Sequence, residues 1–209
     1  MKLQWIAVLA ALGLVQAFGQ AAFAQSEGAA GSAEAGQAKS ATCVACHGVD
    51  GNSLNPEWPS IAGQHAEYIV KQLQAFKSGS RTNVLMSPMA AALSDQDMLD
   101  LGAYFASQRA KGLEAAADKV ALGQRLYRGG DMNSELSACI ACHGPSGSGN
   151  PAALYPSIKG QHATYTAAQL RAYKRGERNT DQNQMMRTVA AALTDEQIDA
   201  LAAYVQGLR

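Results

Sequence analysis

The four cysteines of the chain all lie in two copies of one short motif, C-x-x-C-H, formed by Cys43, Cys46 and His47 and again by Cys139, Cys142 and His143. This motif is the attachment signature of a c-type haem. Its two thiols bond the vinyl positions of the haem, and the adjacent histidine reaches the iron from one side. The motif therefore predicts two covalently bound haem c groups, with His47 and His143 as iron ligands.

Two other kinds of site also use a C-x-x-C pair. Thioredoxin-like redox proteins carry it near a βαβ pattern, whereas this chain lacks the sustained alternation and the β-branched runs that predict strands. Zinc sites space their histidine away from the cysteines, whereas here a histidine follows the second cysteine directly in both copies. Haem attachment is therefore the favoured interpretation.

A proline follows each haem motif at almost the same distance. Pro59 lies 12 residues after His47, and Pro156 lies 13 residues after His143. Metal-bound histidines commonly donate their second ring proton to a carbonyl or a carboxylate, which fixes the orientation of the ring. We predict that a carbonyl oxygen at each proline accepts the Nδ1 proton of the histidine. Simple stiffening of the loop is the alternative.

The ligand on the other side of each iron decides between an electron carrier and a catalyst, because a carrier has both axial positions filled. The candidate donors are Met86, Met89 and His65 in the first copy and Met185, Met186 and His162 in the second. Counting back from the Ala-Ala-Ala-Leu that both copies share, only Met86 and Met186 are methionines in a common register. A thioether paired with histidine raises the reduction potential of the iron. We predict these two methionines as the sulfur ligands.

The remaining donors have other interpretations. His65 and His162 also recur in register, so ligation of each iron by two histidines stays open as an alternative. Met89, Met98 and Met185 are expected to fill gaps in the apolar core, which is the usual role of methionine.

Both haem motifs belong to a unit that occurs twice in the chain. The matching segments are Cys43–Gly48 with Cys139–Gly144, Pro59–His65 with Pro156–His162, Ala90–Asp95 with Ala190–Asp195, and Leu101–Tyr104 with Leu201–Tyr204. The offset between the copies grows from 96 to 97 to 100 residues, so the copies differ by small insertions. This pattern indicates a duplicated domain.

Each copy is predicted to contain three main helices. They are expected at 33–42, 66–77 and 95–108 in the first copy and at 120–127, 163–174 and 195–208 in the second. Apolar residues recur at helical spacing within them. Ser94 and Thr194 are suitable N-caps for the last helix of each copy, and Gln197 completes a capping-box pattern in the second. The sequence therefore predicts an all-α fold.

Composition divides the chain into a leader, two domains and a linker. Lys2, a short apolar run and the Ala-Phe-Ala at 22–24 are typical of a signal peptide, which predicts export. The apolar run is shorter than the about 20 residues that span a membrane, so we expect no transmembrane segment in the mature protein. The expected units are a signal peptide at 1–24, domain 1 at 25–109, a linker at 110–118 and domain 2 at 119–209.

The charges balance over the whole chain but not within each copy. With 17 basic and 17 acidic residues, the chain has no strong field that would favour nucleic acid. Residues 25–116 contain nine acidic and six basic side chains, and residues 117–209 contain eight and ten. We therefore expect a dipolar protein with different ends for different partners. Four basic residues at helical spacing are expected to form an exposed basic face: Arg171, Lys174, Arg175 and Arg178.

These motifs and their spacing resemble the dihaem cytochrome c4 family. The resemblance extends from Gly36 to Tyr204 and includes C-x-x-C-H-G-x-x-G at Cys43–Gly51, P-x-(I/L)-x-G-Q at Pro59 and Pro156, and Tyr-Arg-Gly-Gly at 127–130. It implies two tandem class-I cytochrome c domains, each with one covalently bound haem. It also implies that the domains pack face to face, with the haem propionates near the interface and with His/Met ligation of both irons.

The resemblance further implies a function in electron transport. Electrons would pass through the periplasm from a quinol-oxidising bc-type complex to a terminal oxidase, without substrate chemistry by the chain itself. The protein is expected to be a monomer, and a loose association with the membrane stays open. Two alternatives are a haem subunit of a dehydrogenase complex and a dihaem peroxidase with one open iron position.

Overall fold

The structure is a computed structural model that describes residues 30–209. The signal peptide predicted at 1–24 lies outside the described residues. Within the described part the chain consists of helices and loops without a β-strand, and two isolated antiparallel bridges join Asp131 to Leu136 and Asn150 to Tyr155. The predicted all-α fold is confirmed.

The two copies of the repeat form two similar sets of helices. The first half contains α1 Ala33–Lys39, α2 Val44–His47, α3 Ala66–Ser78, α4 Met86–Ala91 and α5 Asp95–Ser107. The second half contains α6 Ala117–Gly129, α7 Ile140–His143, α8 Ala163–Lys174, α9 Met185–Ala191 and α10 Asp195–Gly207. Because the order of elements is the same, the duplication in the sequence is also a duplication of the fold.

The last helix of each half is its central element. In the first half α5 packs against α1 and α3, and in the second α10 packs against α6 and α8. Both begin with a capping box, in which the side chains of Ser94 and Thr194 accept the N–H of Asp97 and Gln197. The sequence indicated this box only in the second half. The shorter carboxylate of Asp97 completes it equally well in the first half.

Two glycines allow the helices to cross closely. An ideal β-carbon on Gly36 would lie 2.0 Å from the carbonyl oxygen of Asp100, and one on Gly123 would lie 2.1 Å from that of Ala200. Only a residue without a side chain fits at this distance. The contact between α1 and α5, and that between α6 and α10, therefore depend on these two positions.

The apolar core is small in the first half and larger in the second. The first cluster consists of Ile69, Leu101, Tyr104 and Phe105, with Cys43, Ile61, Leu73 and Leu93 partly buried against it. The second consists of Leu126, Tyr127, Leu136, Ala167, Leu193, Ile198, Leu201, Ala202, Tyr204 and Val205. A cysteine of each haem motif, Cys43 or Cys139, packs at the edge of its cluster. A haem attached there would extend each core.

Some helix boundaries differ from the prediction. Helix α6 begins at Ala117 instead of 120, so the last two residues of the predicted linker are helical. Helix α1 ends at Lys39 and continues as a 3-10 turn over Ser40–Thr42. Helices α4 and α9 were not predicted, because segments of six and seven residues are too short to show a helical period.

Candidate haem-binding site

Each haem motif forms a single helical turn, α2 or α7. The cysteines lie three residues apart, which places their side chains on one face of the turn. The turn ends at once, because Gly48 and Gly144 follow the histidines with φ of 81° and 75°. This backbone conformation favours glycine and turns the chain away directly after the histidine.

The histidine of each motif is held by the carbonyl of a proline. His47 Nδ1 lies 2.8 Å from the oxygen of Pro59, and His143 Nδ1 lies 3.0 Å from the oxygen of Pro156. A carbonyl can only accept, so Nδ1 carries the proton and Nε2 keeps a free lone pair. Burial lowers the pKa of both histidines, against the smaller effect of these hydrogen bonds, which favours neutral rings. The predicted contact with the prolines is confirmed, and both rings are suited to bind a metal.

The first cysteine thiol of each haem motif is not activated for redox chemistry. Burial raises the pKa of Cys43, and it raises that of Cys139 to about 11. Redox-active cysteines have a lowered pKa instead, because the thiolate is the reactive form. The four cysteines are unpaired. This chemistry fits covalent attachment of a haem better than a thioredoxin-like function.

The candidate methionines and Met98 differ in their surroundings. Met86 lies in the first turn of α4 and Met186 in the first turn of α9, and both are half-buried. Helix α4 packs on α3, and α9 packs on α8 in the same way. Met185 instead accepts a hydrogen bond from the hydroxyl of Tyr155 at 3.7 Å. Met98 is completely buried, as expected, but Met89 is 41% exposed, so the expectation that it fills the core is wrong.

The two rival histidines contact the opposite half of the molecule. His65 Nε2 lies 2.9 Å from the oxygen of Ser148, and His162 Nε2 lies 2.8 Å from the oxygen of Ser53. A carbonyl again requires a proton on this nitrogen, so its lone pair is not free for iron. The structure thus gives these histidines a role between the halves, whereas the sequence offered them as iron ligands.

A buried arginine lies at the same interface without an anionic partner among the described residues. Arg178 is 7% exposed and donates to the hydroxyl of Tyr68 at 2.8 Å and to Gln72 Oε1 at 3.1 Å, both in the first half. Its Nε atom is buried without a partner. Arg81 of the first half donates to Tyr165 of the second at 3.2 Å in the same way. Buried cations normally meet an anion, and the carboxylates of a haem would supply one.

The expected basic face on α8 is present only in part, because Lys174 and Arg175 are exposed but Arg178 is buried. Arg178 belongs to the interface, and Arg171 is paired with Asp195 and Asp199 at 2.8 Å each. Two further side chains bind locally: Arg175 pairs with Glu177, and Lys174 donates to the carbonyl of Leu193. Helical spacing predicted that these side chains share one face of the helix. It could not show that acidic residues or residues of the first half bind them.

No helix within residues 30–209 has the length and apolar character needed to cross a membrane.

Comparisons with known proteins give one consistent result. The family model Cytochrome c matches the chain twice, over residues 33–109 and 120–209. Cytochrome c4 of Stutzerimonas stutzeri is 48% identical over 192 residues, covering 86% of this chain and 90% of the relative. The crystal structure of reduced recombinant cytochrome c4 from Pseudomonas stutzeri matches with a TM-score of 0.84 at 46% identity, covering 86% of this chain and 100% of that chain.

A further relative carries a different name. The thiosulfate dehydrogenase electron acceptor of Stutzerimonas stutzeri strain A1501 is 39% identical over 166 residues, covering 78% of this chain and 76% of the relative.

The residues of the two haem motifs, the repeated fold and the relatives agree. The matches extend over both halves of the chain and most of each cytochrome c4 relative. The predicted family, fold class and cofactor are thereby confirmed. The chain belongs to the cytochrome c4 family of electron-transfer proteins, with two cytochrome c domains that carry two covalently bound haem c groups.

Proposed function

We propose that this cytochrome is a periplasmic carrier that takes electrons from a quinol-oxidising bc-type complex and delivers them to a terminal oxidase. It acts as a monomer, binds no nucleic acid and performs no substrate chemistry. One observation supports the proposal: both halves carry a histidine and a methionine in equivalent positions, so each iron has a candidate ligand on both sides and neither needs to keep an open coordination position. An enzyme such as a dihaem peroxidase needs one.

The ligand set follows from the repeat. Cys43 and Cys46 attach the first haem, with His47 and Met86 as its iron ligands. The second haem takes the corresponding residues of the other half, which are Cys139, Cys142, His143 and Met186. The proposed domains span residues 25–109 and 119–209, joined by the linker at 110–118, after removal of a signal peptide at 1–24.

The protein contributes a fixed and largely apolar environment. The bound haem supplies reversible one-electron chemistry at its iron. Hydrogen bonds to Pro59 and Pro156 fix the rings of the two histidines, so their orientation need not change with the charge of the iron. Burial of both histidines restricts the access of water to this side of the haem.

A second candidate is an electron acceptor or haem subunit of a dehydrogenase complex. The relative named thiosulfate dehydrogenase electron acceptor favours it, because it covers 78% of this chain at 39% identity. The chain would then still be an electron relay, with a dehydrogenase as the donor in place of the bc-type complex.

Electron uptake and delivery test the proposal. The purified holoprotein is titrated with dithionite and mixed with bacterial membranes that contain a bc-type complex and a terminal oxidase. We expect two electrons per chain, reduction by quinol that antimycin blocks, and reoxidation that cyanide blocks. Peroxide turnover by the protein alone would contradict the proposal. Reduction by a thiosulfate dehydrogenase with thiosulfate, but not by the bc-type complex, would support the second candidate.

A further inference from the structure

Two glutamines bind the backbone of the opposite half in the same reciprocal manner. Gln64 Nε2 donates to the carbonyl of Ser157 at 2.8 Å, and the N–H of Ser157 donates to Gln64 Oε1 at 3.0 Å. Gln161 makes the equivalent pair with Ser60, at 2.8 and 3.0 Å. Each glutamine amide thus binds both polar backbone groups of one serine across the interface.

Each glutamine is also fixed on its own side. Gln64 Oε1 accepts the N–H of His65 at 3.0 Å, and Gln161 Oε1 accepts the N–H of His162 at 3.1 Å. The amide oxygen therefore faces two N–H groups while the amide nitrogen faces a carbonyl, which leaves one orientation of the amide consistent with all three hydrogen bonds.

The serines that the glutamines bind lie next to the prolines that hold the iron-ligating histidines. The carbonyl of Pro59 and the N–H of Ser60 belong to one planar peptide group. That carbonyl accepts from His47 at 2.8 Å, and that N–H donates to Gln161 at 3.0 Å. Hydrogen bonds at the two ends of one peptide group strengthen each other, because each polarises the group in the same direction.

The second half repeats this chain of hydrogen bonds. The peptide group between Pro156 and Ser157 accepts from His143 at 3.0 Å and donates to Gln64 at 3.0 Å. The histidine of each half is thus linked through one peptide group to the glutamine of the other half.

We propose that Gln64 and Gln161 are positioning residues that act across the interface, each setting the hydrogen bond of the histidine in the opposite half. The proposal rests on the assignment of His47 and His143 as iron ligands. The hydrogen bond at Nδ1 sets the basicity of a histidine ligand, and the ligand tunes the potential of its metal. Contact between the halves therefore tunes the reduction potentials of both haems in a crossed pattern, in which the glutamine of each half acts on the haem of the other half.

Leucine variants of the two glutamines test the crossed pattern in the holoprotein. We expect Gln161→Leu to shift the midpoint potential of the first haem more than that of the second, and Gln64→Leu to do the reverse. The Nδ1 proton of the affected histidine should also exchange faster with water, as measured by NMR. The two haems are distinguished by the NMR signals of their axial ligands, assigned with Met86→His and Met186→His.

Tyr68→Phe is the matched control, because it removes the contact with Arg178 across the interface but leaves both glutamines bound to their serines. It should not produce the crossed pattern. Gln161→Asn and Gln64→Asn, which retain a shortened amide, replace any leucine variant that fails to incorporate haem. The proposal would be overturned if a leucine variant shifted mainly the midpoint potential of the haem in its own half. Equal shifts of both midpoint potentials, or no shift, would also overturn it. A wild-type spectrum without His/Met ligation would instead overturn the ligand assignment on which it rests.

Discussion

The sulfur ligands are the residues whose assignment depends most on comparing the two copies. Met86 and Met89 lie on the same short helix, but Met86 is half-buried while Met89 is 41% exposed. We expect Met86→Ala to abolish the red-region sulfur-to-iron band of the first haem in the oxidised protein. Met186→Ala should do the same for the second haem.

Met89→Ala is the control for this experiment, because it removes a thioether from the same helix. Its absorption spectrum should match that of the unchanged protein. If Met89→Ala lost the band and Met86→Ala retained it, Met89 would be the sulfur ligand of the first haem instead.

Single residues could be predicted where the type of side chain carries the chemistry. C-x-x-C-H named His47 and His143, and their distance to Pro59 and Pro156 indicated the acceptor carbonyls correctly. The function of a polar side chain that bonds across an interface depends on a partner far away in the sequence. The contact between Gln161 and Ser60, 101 residues apart, therefore could not be predicted.

At the scale of helices, the close crossing of α1 and α5 makes a specific prediction about stability. Gly36→Ala would place a β-carbon against the carbonyl of Asp100. The helices must then move apart, so we expect a loss of about 1–3 kcal/mol in the free energy of unfolding. Denaturant unfolding of the holoprotein measures this difference.

Gly129→Ala is the matched control, since an added β-carbon there meets no atom within 4 Å. It should leave stability unchanged or raise it by up to about 1 kcal/mol, because alanine favours helix. An equal loss in both variants would show that close packing at Gly36 is not the cause.

The first half is also expected to be more sensitive to acid. Asp100 binds Lys39 at 2.6 Å and the N–H of Ser32 at 2.8 Å, and Ala200 takes the equivalent place in the second half. Lys39 and then Ser32 hold the pKa of Asp100 at about 2, against an ordinary value of 3.8. Because the folded state binds this proton less readily than the unfolded state, its stabilisation is present above pH 3.8 and is lost towards pH 2.

Unfolding midpoints measured from neutral pH down to about 2 test this expectation. Asp100→Asn should lower stability at neutral pH and reduce the dependence on pH below 4. A variant that loses stability in acid as steeply as the unchanged protein would contradict this role of Asp100.

The long helices could be predicted from their apolar period and their N-caps. Helices α4 and α9 could not, because their existence depends on packing against α3 and α8. The predicted start of α6 at 120 is three residues late, because Ala117 and Asp118 have the composition of a linker although they are helical.

At the scale of the whole molecule, the interface depends on buried polar contacts. Arg178→Met removes hydrogen bonds to Tyr68 and Gln72 and leaves those groups without this partner. We expect a loss of about 1–3 kcal/mol, which is the cost of an unsatisfied buried polar group. Weaker contact between the halves should also separate their unfolding transitions in calorimetry.

Arg175→Met is the control, because Arg175 is exposed and pairs only with Glu177, which is also exposed. Water and salt screen exposed ion pairs, so this variant should unfold almost as the unchanged protein does. Equal losses in the two variants would contradict a special role for the buried arginine.

The repeat predicted two similar domains but not the contacts between them. The Gly-Gln-His sequence before α3 and α8 was the visible signal, since both of its polar residues bind the opposite half. In one sequence, such a repeat is equally consistent with a function at the haem, so the sequence alone leaves His65 and His162 as alternative iron ligands.

The measurement that tests the central claim most directly is the absorption spectrum of the purified holoprotein, oxidised and reduced, before and after addition of carbon monoxide and peroxide. The proposed carrier predicts two low-spin, six-coordinate haems, a sulfur-to-iron band in the oxidised state, and no response to either reagent. Binding of carbon monoxide by one haem, or turnover of peroxide, would contradict it and indicate an enzyme with one open iron position.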